Sequence, residues 1–356
     1  MTMVELLKEV GRGKRGARDL TYEEAAAAAR LILTQTASPA QIGAFFTAER
    51  IKIESVDELK AFVDVCRSFA NRSGERQGID FAGPYDGRTS TFMATFASAF
   101  IVASCGLPVT LHGTEPLPPK RGITIPMLLR EMGIDSARVP RRQAAAAAAN
   151  TGVMFVSSEQ ECPPLGRLRP LREELGLRTV LNTAEKLIDY SCSPYLAFGV
   201  FHNTVFERTA KLLVKLGYRK AVIVQGCEGS EDLFIDRPTR TYFVENGAAR
   251  LELIDPEMFG LESILPELSW TPALQLEVTE QVLNGTGHMA FTNQVLLNSA
   301  VRLFIGERVQ SIEEGIYTCK SVLESGTAWD SYIRWKTAML DGQIAAAPSA
   351  TTRLLS

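Results

Sequence analysis

Hydrophobic residues recur at helical spacing through the first 70 residues of the chain. Thr21 and Glu24 have the spacing of a capping box, which predicts a helix that begins there and extends to about Thr34. Ser38-Pro39 indicates the start of the next helix, and residues 59–66 repeat the helical spacing in another. We therefore expect a small helical layer without a strand of its own.

The pattern changes at residue 77, where short β-type runs begin to alternate with helical stretches. The predicted strands are Ile79–Phe81, Val109–Leu111, Val153–Val156 and Ala221–Val224. Two further runs, 240–244 and 250–253, flank Asn246-Gly247 and indicate a hairpin, and helices return over about 273–335. Such alternation predicts a mostly parallel sheet covered by helices, with binding loops at the carboxyl ends of its strands.

The expected fold class is therefore α/β, with a small α-helical domain and a large α/β domain whose mostly parallel central sheet is flanked by helices. The length of 356 residues is sufficient for both domains. The expected boundaries are a helical domain over 1–72, joined by helices from about 165–195, an α/β domain over 73–164 and 196–345, and a tail over 346–356.

Composition narrows the classes of protein that remain. No window approaches ~18 uninterrupted apolar residues, and the N-terminus lacks the apolar core of a signal peptide. The six cysteines form no CxxC pair, which argues against a zinc cluster and a disulfide framework. The net charge of −3 gives no global attraction to nucleic acid. We expect a cytoplasmic protein without a membrane partner.

Two loops carry candidate chemistry. The stretch Asp80–Ser90 joins a strand to a helix through Gly83 and Gly87, so its backbone N–H groups could hold a phosphate; an ordinary tight turn has the same residues. The stretch 11–19 is basic and rich in glycine, which is typical either of an anion-binding loop or of a solvated linker.

Several stretches resemble one known family. They are Leu20–Ala25, Gln41–Phe45, Arg50–Glu54, Pro170–Asn182, Leu297–Ala300 and Glu314-Gly315. Over about residues 4–335 the chain is similar to the anthranilate phosphoribosyltransferases of the glycosyltransferase type. The resemblance implies a homodimer formed through the helical domain, with an active site in the cleft between the domains. That site would transfer ribose 5-phosphate from phosphoribosyl pyrophosphate to an aromatic amine.

The chain departs from the family at the phosphate-binding motifs. The family loop Gly-Thr-Gly-Gly-Asp-Gly is Ala82–Gly87 here, where Pro84 has no N–H to donate and Tyr85 replaces a glycine. The lysine and arginine of Lys-His-Gly-Asn-Arg are lost at residues 111–115, and the serine pair that follows is Pro118-Pro119. We therefore expect phosphoribosyl pyrophosphate to bind poorly.

Some positions of the family site can still be carried over. The candidate ligand residues are Gly83, Tyr85, Asp86, Gly87, Thr95, His112 and Gly113, and the acceptor-side candidates are Cys162 and Arg172. A lone histidine such as His112 is also typical of a structural hydrogen-bonding role. Glu231 and Asp232 keep the family's acidic pair in swapped order and could hold magnesium, although a solvated acidic loop has the same residues.

One branch of the family carries the signature Gly-Arg-Gly-Lys-x-x-Ala-Arg-Asp-Leu, which matches residues 11–20. The resemblance to that branch implies non-specific binding of single-stranded nucleic acid through basic patches. The candidate cations are Arg12, Lys14, Arg15, Arg18, Lys120, Arg121, Arg141, Arg142, Arg167 and Arg169. The sequence thus favours a nucleic-acid-binding protein, against two alternatives: a glycosyl or phosphoribosyl transferase with an altered donor or acceptor and magnesium, and a small-molecule sensor.

Overall fold

The helical domain begins the chain. The computed structural model describes residues 1–13, 15–73 and 77–346, with side chains up to residue 342. The first four helices are α1 (Met3–Val10), α2 (Tyr22–Leu33), α3 (Pro39–Lys52) and α4 (Val56–Phe69). Each begins with a capping box, as at Thr21 and Glu24, so the side chains satisfy backbone N–H groups that have no partner inside the helix.

A seven-stranded sheet forms the centre of the larger part. Its strands are β1 (Ile79–Ala82), β2 (Val109–Gly113), β3 (Val153–Ser157), β4 (Tyr195–Gly199), β5 (Lys220–Val224), β6 (Thr239–Glu245) and β7 (Ala248–Ile254). The order is β3-β2-β1-β4-β5-β6-β7, parallel from β3 to β5 and antiparallel through β6 and β7. The predicted fold class and hairpin are confirmed, whereas β4 was not predicted.

Helices cover both faces of this sheet. They are α5 (Ala94–Ser104), α6 (Ile125–Glu131), α7 (Arg141–Thr151), α8 (Ser158–Glu161), α9 (Pro163–Leu175), α10 (Leu181–Ala184), α11 (Phe206–Leu216), α12 (Pro272–Leu283), α13 (Met289–Ile305), α14 (Ile312–Glu324) and α15 (Thr327–Ala346). Among the described residues, none of the helices combines the length and the apolar character that a bilayer crossing requires.

Two apolar cores hold these layers together. On one face of the sheet, Phe96 and Phe100 of α5 pack edge-on against Trp335 of α15. On the other face, Leu165 of α9 belongs to the same buried cluster as Phe45 of α3. The second core therefore fixes the helical domain against the carboxyl ends of β1 and β4, which is the edge of the sheet where binding loops are expected.

Candidate functional site

The loop after β1 is held in the core by Tyr85. Its hydroxyl lies 2.7 Å from Nδ1 of His112 and 2.6 Å from Oγ of Ser158, and Nε2 of His112 lies 3.0 Å from Oδ1 of Asp80. All four side chains are buried, and burial raises the pKa of Tyr85 well above its usual value. Tyr85 therefore stays protonated and ties the loop to β2 through His112.

Two arginines neutralise one half of the acidic pair. Asp232 is fully buried, with Arg88 Nη2 2.5 Å from its Oδ2 and Arg302 Nη2 2.7 Å from its Oδ1. The Thr95 backbone N–H also donates to Oδ2 at 3.0 Å. Burial by itself would raise the pKa of Asp232, but the two guanidinium groups outweigh it and hold that pKa below its usual value. Neither arginine was a predicted site residue.

Glu231 has a different environment from its neighbour. Its Oε1 accepts a hydrogen bond from Thr95 Oγ1 at 2.6 Å, whereas Oε2 has no hydrogen-bond partner among the described residues. A Cβ placed on Gly83 would lie 2.9 Å from that oxygen, so a larger residue at this position would require the Glu231 carboxylate to shift. Glu231 thus presents one unengaged carboxylate oxygen beneath the loop.

A narrow pocket of about 30 Å³ lies between this carboxylate and the loop. Its lining includes the predicted residues Gly83, Tyr85, Gly87, Thr95, His112, Gly113 and Glu231. This volume holds about one water molecule. The structure therefore brings most of the predicted ligand residues together, but in a pocket that is closed to a sugar phosphate in this conformation.

The acidic pair provides a poor magnesium site as it stands. Both oxygens of Asp232 are engaged by arginines, so only Glu231 Oε2 is left for a metal. Across the described residues, no group of three or more His, Cys, Asp or Glu side chains is arranged to hold a metal ion. Magnesium prefers several oxygen ligands, and the residues present do not fit it here.

The predicted acceptor-side residues lie in the core rather than in this pocket. The guanidinium of Arg172 is buried and makes a bidentate ion pair with Glu185, at 2.6 and 2.9 Å. Burial raises the pKa of the Cys162 thiol to about 12, and the thiol donates to the Cys66 carbonyl. Because both groups are engaged internally, neither is available to an acceptor in this conformation.

A larger cavity of about 180 Å³ lies on the other side of Pro84 and Tyr85. Its wall includes the predicted Asp86 together with Arg178 and Lys186, neither of which was a predicted site residue. Asp86 Oδ2 lies 2.5 Å from Arg178 Nη2, and Asp86 Oδ1 lies 3.4 Å from Lys120 Nζ. No motif marks Lys186, because its position depends on how the chain folds after α10.

Most of the predicted nucleic-acid cations are paired with carboxylates. Six of the nine that the structure describes, Arg12, Arg18, Lys120, Arg121, Arg141 and Arg169, form ion pairs. Arg15, Arg142 and Arg167 are exposed and make no ion pair with any described residue. Lys14 lies outside the described residues. Nucleic-acid binding therefore stays a prediction from the resemblance, with three unpaired cations to support it.

A helical domain packed on a mostly parallel sheet, with a cleft at the strand ends, defines a phosphoribosyltransferase-type fold. Residues 4–70 match the helical bundle domain of the glycosyl transferase family, and residues 79–329 match its a/b domain. The chain belongs to this glycosyl transferase family.

Relatives and solved structures agree with that assignment. The anthranilate phosphoribosyltransferase of Pelotomaculum thermopropionicum is 31% identical, over 87% of this chain and 90% of the relative. An uncharacterized protein of Aquifex aeolicus is 29% identical, over 87% of this chain and 95% of the relative. The crystal structure of anthranilate phosphoribosyltransferase from Thermus thermophilus has a TM-score of 0.80 at 22% identity, covering 94% of this chain and 99% of that one. That similarity supports the fold.

Proposed function

We propose that the protein is a glycosyl or phosphoribosyl transferase related to anthranilate phosphoribosyltransferase, with an altered donor or acceptor. The observation that carries this proposal is the buried carboxylate of Glu231, whose Oε2 faces the pocket without a partner among the described residues. Glycosyl transfer passes through a transition state with positive charge on the sugar, and a fixed carboxylate in a water-poor site stabilises such charge.

The transfer step exchanges one bond at C1 of the sugar for another. The bond from C1 of the sugar to the leaving oxygen breaks with its electron pair on that oxygen, the acceptor nitrogen bonds to C1, and the proton of that nitrogen leaves to water. Glu231 stabilises the charge at C1, and Thr95 orients Glu231 through the 2.6 Å hydrogen bond. A sugar can reach this carboxylate only when the loop that contains Gly83 moves away from it.

Three features of the chain support a sugar donor other than phosphoribosyl pyrophosphate with magnesium. Pro84 has no N–H for a phosphate, Tyr85 fills the position of a glycine in the loop, and Asp232 is already neutralised by two arginines. Each lost hydrogen bond to a charged phosphate costs ~1.5–3 kcal/mol. Ordinary binding of phosphoribosyl pyrophosphate with magnesium is therefore not expected here.

Turnover assays test the proposal. The protein is incubated with phosphoribosyl pyrophosphate or α-ribose 1-phosphate, each with an aromatic amine, and release of the leaving group is followed. We expect turnover of at least one donor. The turnover rate of Glu231→Gln should be at least ~100-fold lower, because removing one such charge interaction from a transition state costs ~2.7–4 kcal/mol. Glu267→Gln, on the surface, is the matched control. No turnover of any donor, or full activity in Glu231→Gln, would overturn the proposal.

A further inference from the structure

Lys186 is a buried amine in the wall of the larger cavity. The residue is 7% exposed, its Nζ donates to the Gly199 carbonyl at 2.8 Å, and Nζ lies 3.9 Å from the centre of the Phe198 ring. An ammonium group has three donors. Among the described residues, no carboxylate lies within 4.0 Å of Nζ, so this buried charge has no ion-pair partner there.

The carboxylates in the same wall are engaged elsewhere. Asp86 pairs with Arg178 and Lys120, and Glu228 accepts hydrogen bonds from residues 89–91. Arg178 lies at the cavity wall with about a third of its side chain exposed. Arg208, the third cation of the lining, lies 3.5 Å from Oε2 of Glu54. Among the lysines and arginines that line the cavity, Lys186 is therefore the one without an ion pair to a described residue.

We propose that this cavity, between β4, α10 and the loop after β1, binds a small anion of the phosphate monoester class, with Lys186 as its buried anchor and Arg178 at its wall. Burial of an unpaired ammonium is costly, and an anion at this position offsets that cost. The volume of about 180 Å³ is below the ~300 Å³ of drug-sized pockets, which suits a phosphate or a pentose phosphate.

The site is separate from the pocket under Gly83, because Pro84 and Tyr85 form a wall shared by the two. It does not rest on the proposed transfer, since an anion can bind beside Lys186 without any reaction at Glu231. Binding at this position would also hold the loop after β1 from its other side.

The charge of Lys186 makes binding depend on pH. Burial lowers the pKa of Lys186 to about 8, and the charged groups that act on it are Glu231, Asp86, Arg178 and Glu185. A bound anion favours the ammonium form and raises that pKa. Because the amine loses its proton as the pH rises through about 8, anion affinity should fall between about pH 7.5 and pH 9.

Calorimetric titration of the full chain with ribose 5-phosphate and with inorganic phosphate, without magnesium, tests the site. We expect binding of one or both at pH 7.5, several-fold weaker binding at pH 9, and at least tenfold weaker binding in Lys186→Met. Lys320→Met, on the exposed face of α14, is the matched control and should bind as the unmodified chain does. Ribose 5-phosphate binding more tightly than phosphate indicates a sugar phosphate as the ligand.

Two results would overturn the inference: no heat from either probe at millimolar concentration, or a Lys186→Met variant that binds as tightly as the control. If Lys186→Met does not fold, acylation of the unmodified chain replaces it. Mass spectrometry then follows acylation of Lys186 at pH 8.5, with and without ribose 5-phosphate. Protection by the sugar phosphate supports the site, and equal acylation contradicts it. Transferase turnover enters neither measurement, so failure here is distinct from failure of the proposed function.

Discussion

At the scale of single residues, Glu228 acts as an internal anion. Its carboxylate accepts hydrogen bonds from the backbone N–H groups of Thr89 and Ser90, at 2.8–3.0 Å, and from the hydroxyls of Thr89, Ser90 and Thr91. Burial would raise its pKa, but these hydrogen bonds outweigh burial and lower the pKa to about 2. The residue accepts a left-handed φ of 52° to reach this position. Glu228 thus fixes the loop after β1 to the loop after β5.

The lowered pKa of Glu228 predicts that Glu228→Gln changes the free energy of unfolding in a pH-dependent way. Ionised Glu228 stabilises the fold above the unfolded-state value of about 4.5, and that contribution is lost as the pH falls towards about 2. With solvent screening allowed for, we expect Glu228→Gln to lower the free energy of unfolding by about 1–2 kcal/mol at pH 7, and by less at pH 3.5. Urea unfolding at both pH values measures it, with Glu267→Gln as control. An unchanged free energy at pH 7 would contradict this role.

Much of the site could not be predicted, because its side chains come from distant parts of the chain. The resemblance identified Glu231, Asp232 and Thr95, which the structure does bring together. Arg88 and Lys186 carry no motif, since the partner of Arg88 is 144 residues away in the chain. Arg172 was predicted from alignment to face an acceptor, yet its buried pairing with Glu185 depends on the turn that follows α10.

At the scale of elements, local patterns predicted most helices and strands. The capping box of α2 was predicted at Thr21 and Glu24, because that signal is contained in a few residues. Strand β4, Tyr195–Gly199, was missed. It lies between β1 and β5 in the middle of the sheet, so its short apolar run lacks the alternation that marks a half-exposed strand.

We propose that the predicted homodimer forms through the exposed face of helix α3. A groove of about 1090 Å³ between α1, α3 and α9 is lined by the small residues Gly43 and Ala44, and Ile51 beside it is 72% exposed. We expect Ala44→Glu to weaken self-association at least tenfold, because the new charge would be buried between two chains. Sedimentation velocity measures this, with Ala146→Glu on α7 as control. A monomeric unmodified protein, or equal association of both variants, would contradict the prediction.

Across the whole molecule, charge pairing leaves few of the predicted cations available to nucleic acid. The net charge is −3, and of the predicted cations that the structure describes, Arg15, Arg142 and Arg167 are the unpaired ones. We expect that any binding of single-stranded DNA depends on these three and falls steeply with salt. Their combined replacement by alanine should reduce the slope of log affinity against log salt by about 2–3. Filter binding at two salt concentrations measures the slope, and no binding at low salt would reject the nucleic-acid prediction.

In the whole cleft, the family fold is retained, but the pocket at the loop after β1 has a volume of only about 30 Å³ and both oxygens of Asp232 are held by arginines. Calorimetric titration with phosphoribosyl pyrophosphate, with and without magnesium, tests most directly whether the family's donor still binds. We expect magnesium to leave the affinity for phosphoribosyl pyrophosphate unchanged within about twofold, because Asp232 has no oxygen free for the ion. Micromolar binding that appears only with magnesium would contradict it and restore the ordinary donor site.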